Sequence, residues 1–468
     1  MQQNESDLHR GLGQRQMRLM ALGAAIGVGL FLGSANAIKM AGPAIILSYI
    51  IGGAVIFVIM RALGEMAVHE PVAGSFSRYA RNYLGPLAGY LTGWNYWFLW
   101  LVTCIAEITA VGIYMGIWFP DVPRWIWALA ALGMMGSVNL LTVKAYGELE
   151  FWFALIKVVT IVVMIAVGLG MIVFGYGNHG APTGISNLWA HGGFLPNGMQ
   201  GVMMSMQMVM FAYLGVEMIG LTAGEAANPQ KSIPNAINSV FWRIVIFYGG
   251  ALFVILSIYP WNEIGTQGSP FVMTFERLGI KTAAGIINFV VLTAALSSCN
   301  GGIFSTGRML YSLAQQGHAP RGFGVTTAGG VPRRAILVSA AALLVGVLLN
   351  YLVPEKVFVW VTSISTFGAI WTWGVILVTQ MKFRQSLAPS EQRTLGFRMP
   401  FWPYGSWFAL AFLAFVIGLM AYFPDTRVAL LVGPAWLALL VAFYYGLKLE
   451  SAASPDAGPT RRSERQRA

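Results

Sequence analysis

The chain alternates long apolar stretches with short polar breaks. Apolar stretches recur at roughly 17–40, 43–68, 88–117, 124–143, 150–174, 198–223, 239–260, 283–312, 335–353, 357–381, 404–423 and 428–447. A helix needs about 20 apolar residues to cross a bilayer, and each stretch is close to that length or longer. Pro43, Pro86, Pro123, Pro260, Pro270, Pro332, Pro354, Pro403 and Pro424 fall near the ends, where a missing N–H costs little. The pattern predicts an all-α polytopic membrane protein with twelve transmembrane helices. Two loops predict helices of their own. Ala73 to Leu84 is a short amphipathic segment, and Ser269 to Ile280 opens with Ser-Pro, a helix start signal. Residues 452–468 are polar and basic and read as a disordered tail.

Composition agrees with this reading. The 468 residues are 57% hydrophobic and 10% charged, with mean hydropathy +0.66. A soluble domain is nearer ~25% charged. Cys104 and Cys299 both fall in apolar runs, which argues against a disulfide scaffold or zinc site. The net charge of +11 fits basic loops facing an anionic leaflet better than nucleic acid.

Most of the 29 lysines and arginines fall on the side of the N-terminus, in the loops around Arg61, Arg78, Lys144, Lys231, Arg308, Arg333, Lys382 and Arg398. Lys39, Arg124, Arg277, Lys281, Lys356 and Arg427 lie on the other side, and Lys157 lies inside a span. This asymmetry predicts that both termini are cytoplasmic. Basic residues before the first span and Ala35-Asn36-Ala37 resemble a secretory signal. The run is span-length and many spans follow, so it is read as a retained helix.

The first span holds Gly23-Ala24-Ala25-Ile26-Gly27-Val28-Gly29-Leu30-Phe31. Three glycines within seven residues weaken a helix at a depth where lipid cannot replace lost backbone bonds. A broken helix here would point the free N–H groups of its second half at an anionic group such as a carboxylate. The plain alternative is close helix packing, since Gly23/Gly27 and Ala25/Gly29 are small residues four apart. Span six has the same character: Phe211-Ala212-Tyr213-Leu214-Gly215-Val216-Glu217 carries a mid-span glycine followed by a carboxylate. Spans one and six head two five-span halves, the arrangement of an inverted repeat.

Ionisable residues at membrane depth cost about 2.5–3.5 kcal/mol each on insertion scales, so each is a functional candidate. Of the 18 Asp and Glu, Glu107 and Glu217 fall deep, while Glu65 and Glu225 sit near span ends where water reaches. Lys157 is the single deep cation. Either it snorkels to the interface past Glu150, about 10 Å away along the helix, or it faces the bundle and titrates. All five histidines fall in loops or at span ends, which disfavours a histidine relay. Span eight holds Ser297-Ser298-Cys299-Asn300-Gly301-Gly302, which serves either as interhelical glue or as cavity lining, with Asn300 a candidate contact. The chain has no Walker loop, no His-Glu-x-x-His and no Gly-x-Ser-x-Gly, so neither an enzyme nor an ATP-driven pump is indicated.

Many ordered motifs resemble one family. They include Arg10-Gly-Leu12, Gly23 to Phe31, Met60-Arg-Ala-Leu-Gly-Glu-Met66, Gly74-Ser-Phe76, Gly93-Trp-Asn-Tyr-Trp97 and Tyr146-Gly-Glu-Leu-Glu-Phe-Trp152. Thr222-Ala-Gly-Glu-Ala226, Ser232-Ile-Pro-Asn-Ala-Ile-Asn238, Ser269-Pro-Phe271 and Gly307-Arg-Met-Leu310 continue the series. From about Leu8 to Leu449 the chain resembles amino acid permeases of the amino acid–polyamine–organocation superfamily, in its bacterial amino acid transporter branch. The resemblance implies a leucine-transporter-like fold with discontinuous helices 1 and 6. Its parts would be a cytoplasmic N-terminus (1–16), two five-helix repeats (17–174 and 198–381), two added helices (404–447) and a cytoplasmic tail (448–468).

It further implies proton-coupled amino acid uptake across a bacterial inner membrane, by a chain expected to be monomeric, with no cofactor and no nucleic-acid partner. By the same resemblance, the amides of Ile26, Gly27, Val28 and Gly29 would bind the substrate carboxylate. Carbonyls around Gly23 and Ala24, and of Phe211, Ala212, Tyr213 and Leu214, would take its amino group. Glu107, Glu217 and Lys157 match family positions linked to binding, gating and proton coupling. Some stretches look most like proline permeases, others like threonine/serine or aromatic permeases. A small or medium neutral amino acid is favoured, with proline or threonine/serine/alanine ahead of aromatic residues, histidine and 4-aminobutyrate. Exchange, sodium coupling and a non-transporting amino acid sensor are the alternatives.

Overall fold

The computed structural model describes residues 26–72, 74–176, 180–221, 228–264, 269–277, 281–327 and 329–449. Gly23, Ala24, the Thr222–Ala226 motif and the basic tail lie outside these residues. Among the described residues every regular element is helical.

A π-helical turn at Gly29–Gly33 leads into α1 (Ser34–Ala41). Gly42, at φ +61°, and Pro43 turn the chain into α2 (Ile45–His69). The short amphipathic α3 (Ser75–Leu84) precedes the long α4 (Pro86–Met115), followed by α5 (Arg124–Leu140) and α6 (Val143–Phe174). In the second half, α7 (Gly198–Ala212) is followed by a four-residue helix α8 (Met218–Leu221) and by α9 (Pro229–Arg243). A π-helical segment, Ile244–Gly250, carries α9 on into α10 (Ala251–Ile258). The Ser-Pro signal opens α11 (Pro270–Arg277), and α12 (Lys281–Gln315), α13 (Arg333–Leu352), α14 (Val357–Ser386), α15 (Tyr404–Tyr422) and α16 (Arg427–Gly446) complete the chain.

Among the described residues nine helical runs are long and apolar enough to cross a membrane, against the twelve spans expected. The Gly29–His69 run contains two of those spans, divided at Gly42. The helices of spans four and six, with 17 and 15 residues, are too short to count by length.

α4 is the central column. It runs along α12, and α14, α3, α5 and α13 also pack against it. Tyr146 stacks on Phe304 at 4.0 Å, fastening α6 to α12. On α6 the buried positions Glu150, Ala154, Lys157, Ile161 and Met164 recur every three or four residues, while Trp152, Val159, Val162 and Val163 face outward. That is one inward stripe on a helix otherwise apolar all round.

The described histidines lie at helix ends or beyond them. His318 lies beyond the end of α12 against the rings of Tyr90 and Tyr444. Burial, and then the nearby Arg81 guanidinium, lower its pKa to about 4, so it is neutral at physiological pH.

Glu65 departs from expectation. Instead of reaching water it is 1% exposed. It accepts hydrogen bonds from Gln380 Nε2 (2.9 Å) and the Met399 N–H (2.5 Å), and Arg384 Nη1 lies 3.4 Å away. α14 and the segment before α15 close over the end of α2 and exclude water from it. Removing one partner of a buried ion pair costs about 3–5 kcal/mol. Glu65→Ala is therefore expected to lower the thermal midpoint of the detergent-solubilised protein clearly, read by the loss of its monodisperse size-exclusion peak on heating. An unchanged midpoint would show that Arg384 and Met399 do not depend on this carboxylate.

Candidate functional site

The described part of the first span begins at Ile26, and helical structure starts at Val28. Leu30 N and Phe31 N both donate to Gly27 O, at 3.2 and 3.4 Å. The amides of Ile26 to Gly29 thus lie at the start of a helix, where N–H groups have no intrahelical acceptor. The carbonyl of Ile26, just before the helix, accepts from Lys157 Nζ at 3.1 Å. Lys157 is 0% exposed. The snorkelling alternative is overturned: the inward stripe of α6 aims the side chain at the start of the first helix rather than at the interface.

Glu107 approaches the same point from α4 and is 2% exposed. Its carboxyl interacts with the Ser298 hydroxyl and the Val28 N–H. A Cβ placed on Gly27 would lie 3.1 Å from Glu107 Oε1 and 3.3 Å from Ser298 Oγ. A Cβ on Gly29 would lie 2.5 Å from the Cα of Ala212. The glycines thus serve two purposes. Gly27 leaves room for side chains, and Gly29 lets the first span touch the backbone of the sixth.

Span six is interrupted where the first span meets it. α7 ends at Ala212, residues 213–217 form turns, and Gly215 adopts φ +96°, a conformation glycine takes without strain. Both Glu217 oxygens accept from the Gly215 N–H, at 3.2 and 3.3 Å. Tyr96 Oη and Trp373 Nε1 also donate to Glu217, each at 3.3 Å. Tyr213 Oη donates to Tyr49 O at 2.6 Å, and Tyr248 Oη donates to Ala212 O at 2.8 Å. The carbonyls expected to receive an amino group are thus partly engaged: Ala212 O by Tyr248, and Phe211 O by the Leu214 N–H at 3.1 Å. Leu214 itself is buried.

Asn300 is placed away from this meeting point. Its Oδ1 accepts from Asn139 Nδ2 at 2.8 Å and its Nδ2 donates to Glu150 Oε2 at 3.3 Å. Two residues on a helix differ by about 200°, so Asn300 and Ser298 face different neighbours. Glu150 is the residue that sequence reasoning missed. It was assigned to the wet end of its span, yet it is 4% exposed and also accepts from Ser297 Oγ at 2.6 Å. The three-four spacing from Glu150 to Lys157 was the available signal.

A sequence model of the family described as amino acid permease matches residues 16–449. The chain belongs to the amino acid permease family. It is 70% identical over 446 residues to the uncharacterized amino acid permease YtnA of Bacillus subtilis, covering 95% of this chain and 96% of that one. The probable threonine/serine transporter YbxG of the same organism is 49% identical over 439 residues, 94% of this chain and 95% of its own. The amino-acid permease AapA, also from Bacillus subtilis, is 49% identical over 440 residues, again 94% and 95%. Membership implies a multi-pass membrane transporter of amino acids rather than an enzyme.

The two glycines separate packing from binding. Gly29→Ala drives a methyl into the Ala212 backbone, which cannot turn aside, so folded yield is expected to fall sharply. Gly27→Ala meets side-chain oxygens that can shift by a few tenths of an ångström. It is expected to fold and to change substrate affinity. Fluorescence-detected size exclusion of both variants, with uptake by Gly27→Ala, checks this; equal yields would contradict the backbone contact.

Proposed function

We propose that the protein takes up a neutral L-amino acid by proton symport. The observation that carries this reading is the fully buried Lys157 ammonium on the Ile26 carbonyl. A charge-assisted hydrogen bond is roughly twice as strong as a neutral one. Loss of the Lys157 proton therefore loosens the first span from α6, and protonation tightens it. Substrate binds beside this contact, its carboxylate on the amides of Ile26 to Gly29. Glu107 lies beside the Val28 amide, so it is the group that an arriving carboxylate would displace. Glu217 holds the interruption of span six through the Gly215 N–H. A fixed cation this close to the site disfavours sodium.

The topology that goes with this reading has twelve crossings. The Gly29–His69 run counts twice, and α5 and the interrupted α7–α8 pair complete the set. They fall into repeats 17–174 and 198–381 with 404–447 added. The preponderance of lysine and arginine on one side of the spans supports a cytoplasmic position for that side and both termini, of what we take to be a bacterial inner membrane. For the substrate, the probable threonine/serine transporter among the relatives favours threonine and serine within the neutral class.

The test is a panel of radiolabelled amino acids in proteoliposomes, with and without an inward proton gradient. Threonine or serine is expected to accumulate only with the gradient. Lys157→Met is expected to keep equilibrium binding and to lose gradient-driven accumulation by about tenfold or more, the equivalent of about 1.4 kcal/mol in coupling. Lys157→Arg should fail too, because guanidinium stays protonated at any working pH. Wild-type accumulation by Lys157→Met would remove Lys157 from the coupling step and leave Glu107 and Glu217 as the carriers.

A further inference from the structure

Lys157 is enclosed, so a proton it releases needs a way out. α6 supplies a second ionisable group on the same inward stripe. Glu150 lies seven residues before Lys157, two turns nearer the basic face, a rise of about 10 Å. Side chains on a helix lean toward its N-terminus, which is the direction in which Glu150 lies from Lys157. The carboxylates whose charge reaches Lys157 are Glu150 and Glu107.

Beyond Glu150 a polar path continues. Asn300 joins its Oε2 to Asn139, which is 4% exposed. Asn139 lines a cleft with Thr142, Tyr146, Phe304, Arg308 and Val331, with room for about one water. The Oδ1 of Asn139 is buried there without a hydrogen-bond partner, an acceptor suited to that water. Thr142, at the rim, is exposed. The polar groups thus run in one line from the exposed rim to Glu150, with Lys157 next along the helix.

We propose that Glu150 is a positioning and relay residue that accepts the Lys157 proton and passes it to the cytoplasmic face through the Asn139 cleft, separately from the substrate. This rests on the coupling role of Lys157. In the first step an N–H bond of the ammonium breaks, a bridging water conveys the proton, and an O–H bond forms on Glu150. Ammonium and carboxylate become amine and carboxylic acid. In the second step that O–H bond breaks and the proton passes to water in the cleft, restoring the carboxylate. The other ionisable groups around the path are Glu107 from α4, Arg308 from α12 and Tyr146 from α6, with Lys144 of α6 and Arg333 and Arg334 of α13 next to residues that line the cleft. α10 contributes none, and the single charge of α5, Arg124, lies at its far end.

The test compares wild type, Glu150→Gln, Glu150→Asp and Lys157→Met, reconstituted as full chains. The probe is a radiolabelled mixture of neutral L-amino acids. Glu150→Gln is expected to bind and exchange the mixture like wild type and to accumulate it at least about tenfold less under an inward proton gradient. Glu150→Asp is expected to recover much of the accumulation, with a shifted pH profile.

If Glu150→Gln accumulates like wild type while Lys157→Met fails, the relay is wrong and the coupling role of Lys157 stands. If both accumulate like wild type, or if wild type ignores the gradient, the coupling reading falls and the relay with it. Equal loss of binding, exchange and accumulation in Glu150→Gln makes Glu150 a structural tie through Ser297 and Asn300, and overturns the relay. Should Glu150→Gln not fold, an Asp variant whose pH profile matches wild type overturns it as well.

Discussion

A backbone carbonyl with no helical partner, buried in the core of a membrane protein, must be satisfied by something other than water or lipid. At Ile26 that something is the Lys157 ammonium. The pairing answers two needs together. The carbonyl gains a donor, and a charge that would be costly alone gains an oxygen ligand and two carboxylates within electrostatic reach. The start of the first helix is thereby tied to α6, a helix fastened in turn to α12 by the Tyr146–Phe304 stack. The geometry of the candidate site follows from this tie: the start of the first helix is held with Gly27 beside Glu107 and Ser298.

The interruption in span six is held by different chemistry. Phenol, indole and amide groups hold it. Phenol and indole groups from three helical segments bond to it or to its flank, its own Tyr213 donates to the Tyr49 carbonyl, and Glu217 folds back on the Gly215 amide. The bonds to the Tyr49 and Ala212 carbonyls are neutral and directional, so they specify a shape, whereas those to Glu217 end on an ionisable carboxyl. The first span is held by a cation and the sixth by groups gathered on a carboxyl, and they meet where Gly29 lies against Ala212.

Much of the fold was readable along the chain because membrane depth imposes simple rules. Segment lengths near bilayer thickness, prolines at the ends, and the two short helices at 75–84 and 270–277 all came from local patterns. Glu65 and Glu150 were misplaced for one reason. Position along a span tells how far a residue lies from its end, and says nothing about whether a neighbouring element covers that end. The segment before α15 covers Glu65, and α12 with α5 covers Glu150.

What the residues determine directly is the solvent each segment requires and the places where a helix is weak. Apolar length, glycine clusters and rare deep charges are local properties, legible one residue at a time. What required the fold is which partner each exposed dipole and charge finds. Lys157 and Ile26 are 131 positions apart in sequence, and Asn139 and Asn300 are 161 apart. Pairings at such separation depend on how helices are rotated about their axes, and a helix apolar on nearly every side carries little sequence signal for that rotation. The inward stripe of α6 is the exception, because its ionisable members mark the buried face. Elsewhere only the packing of one helix on another selects which polar groups meet.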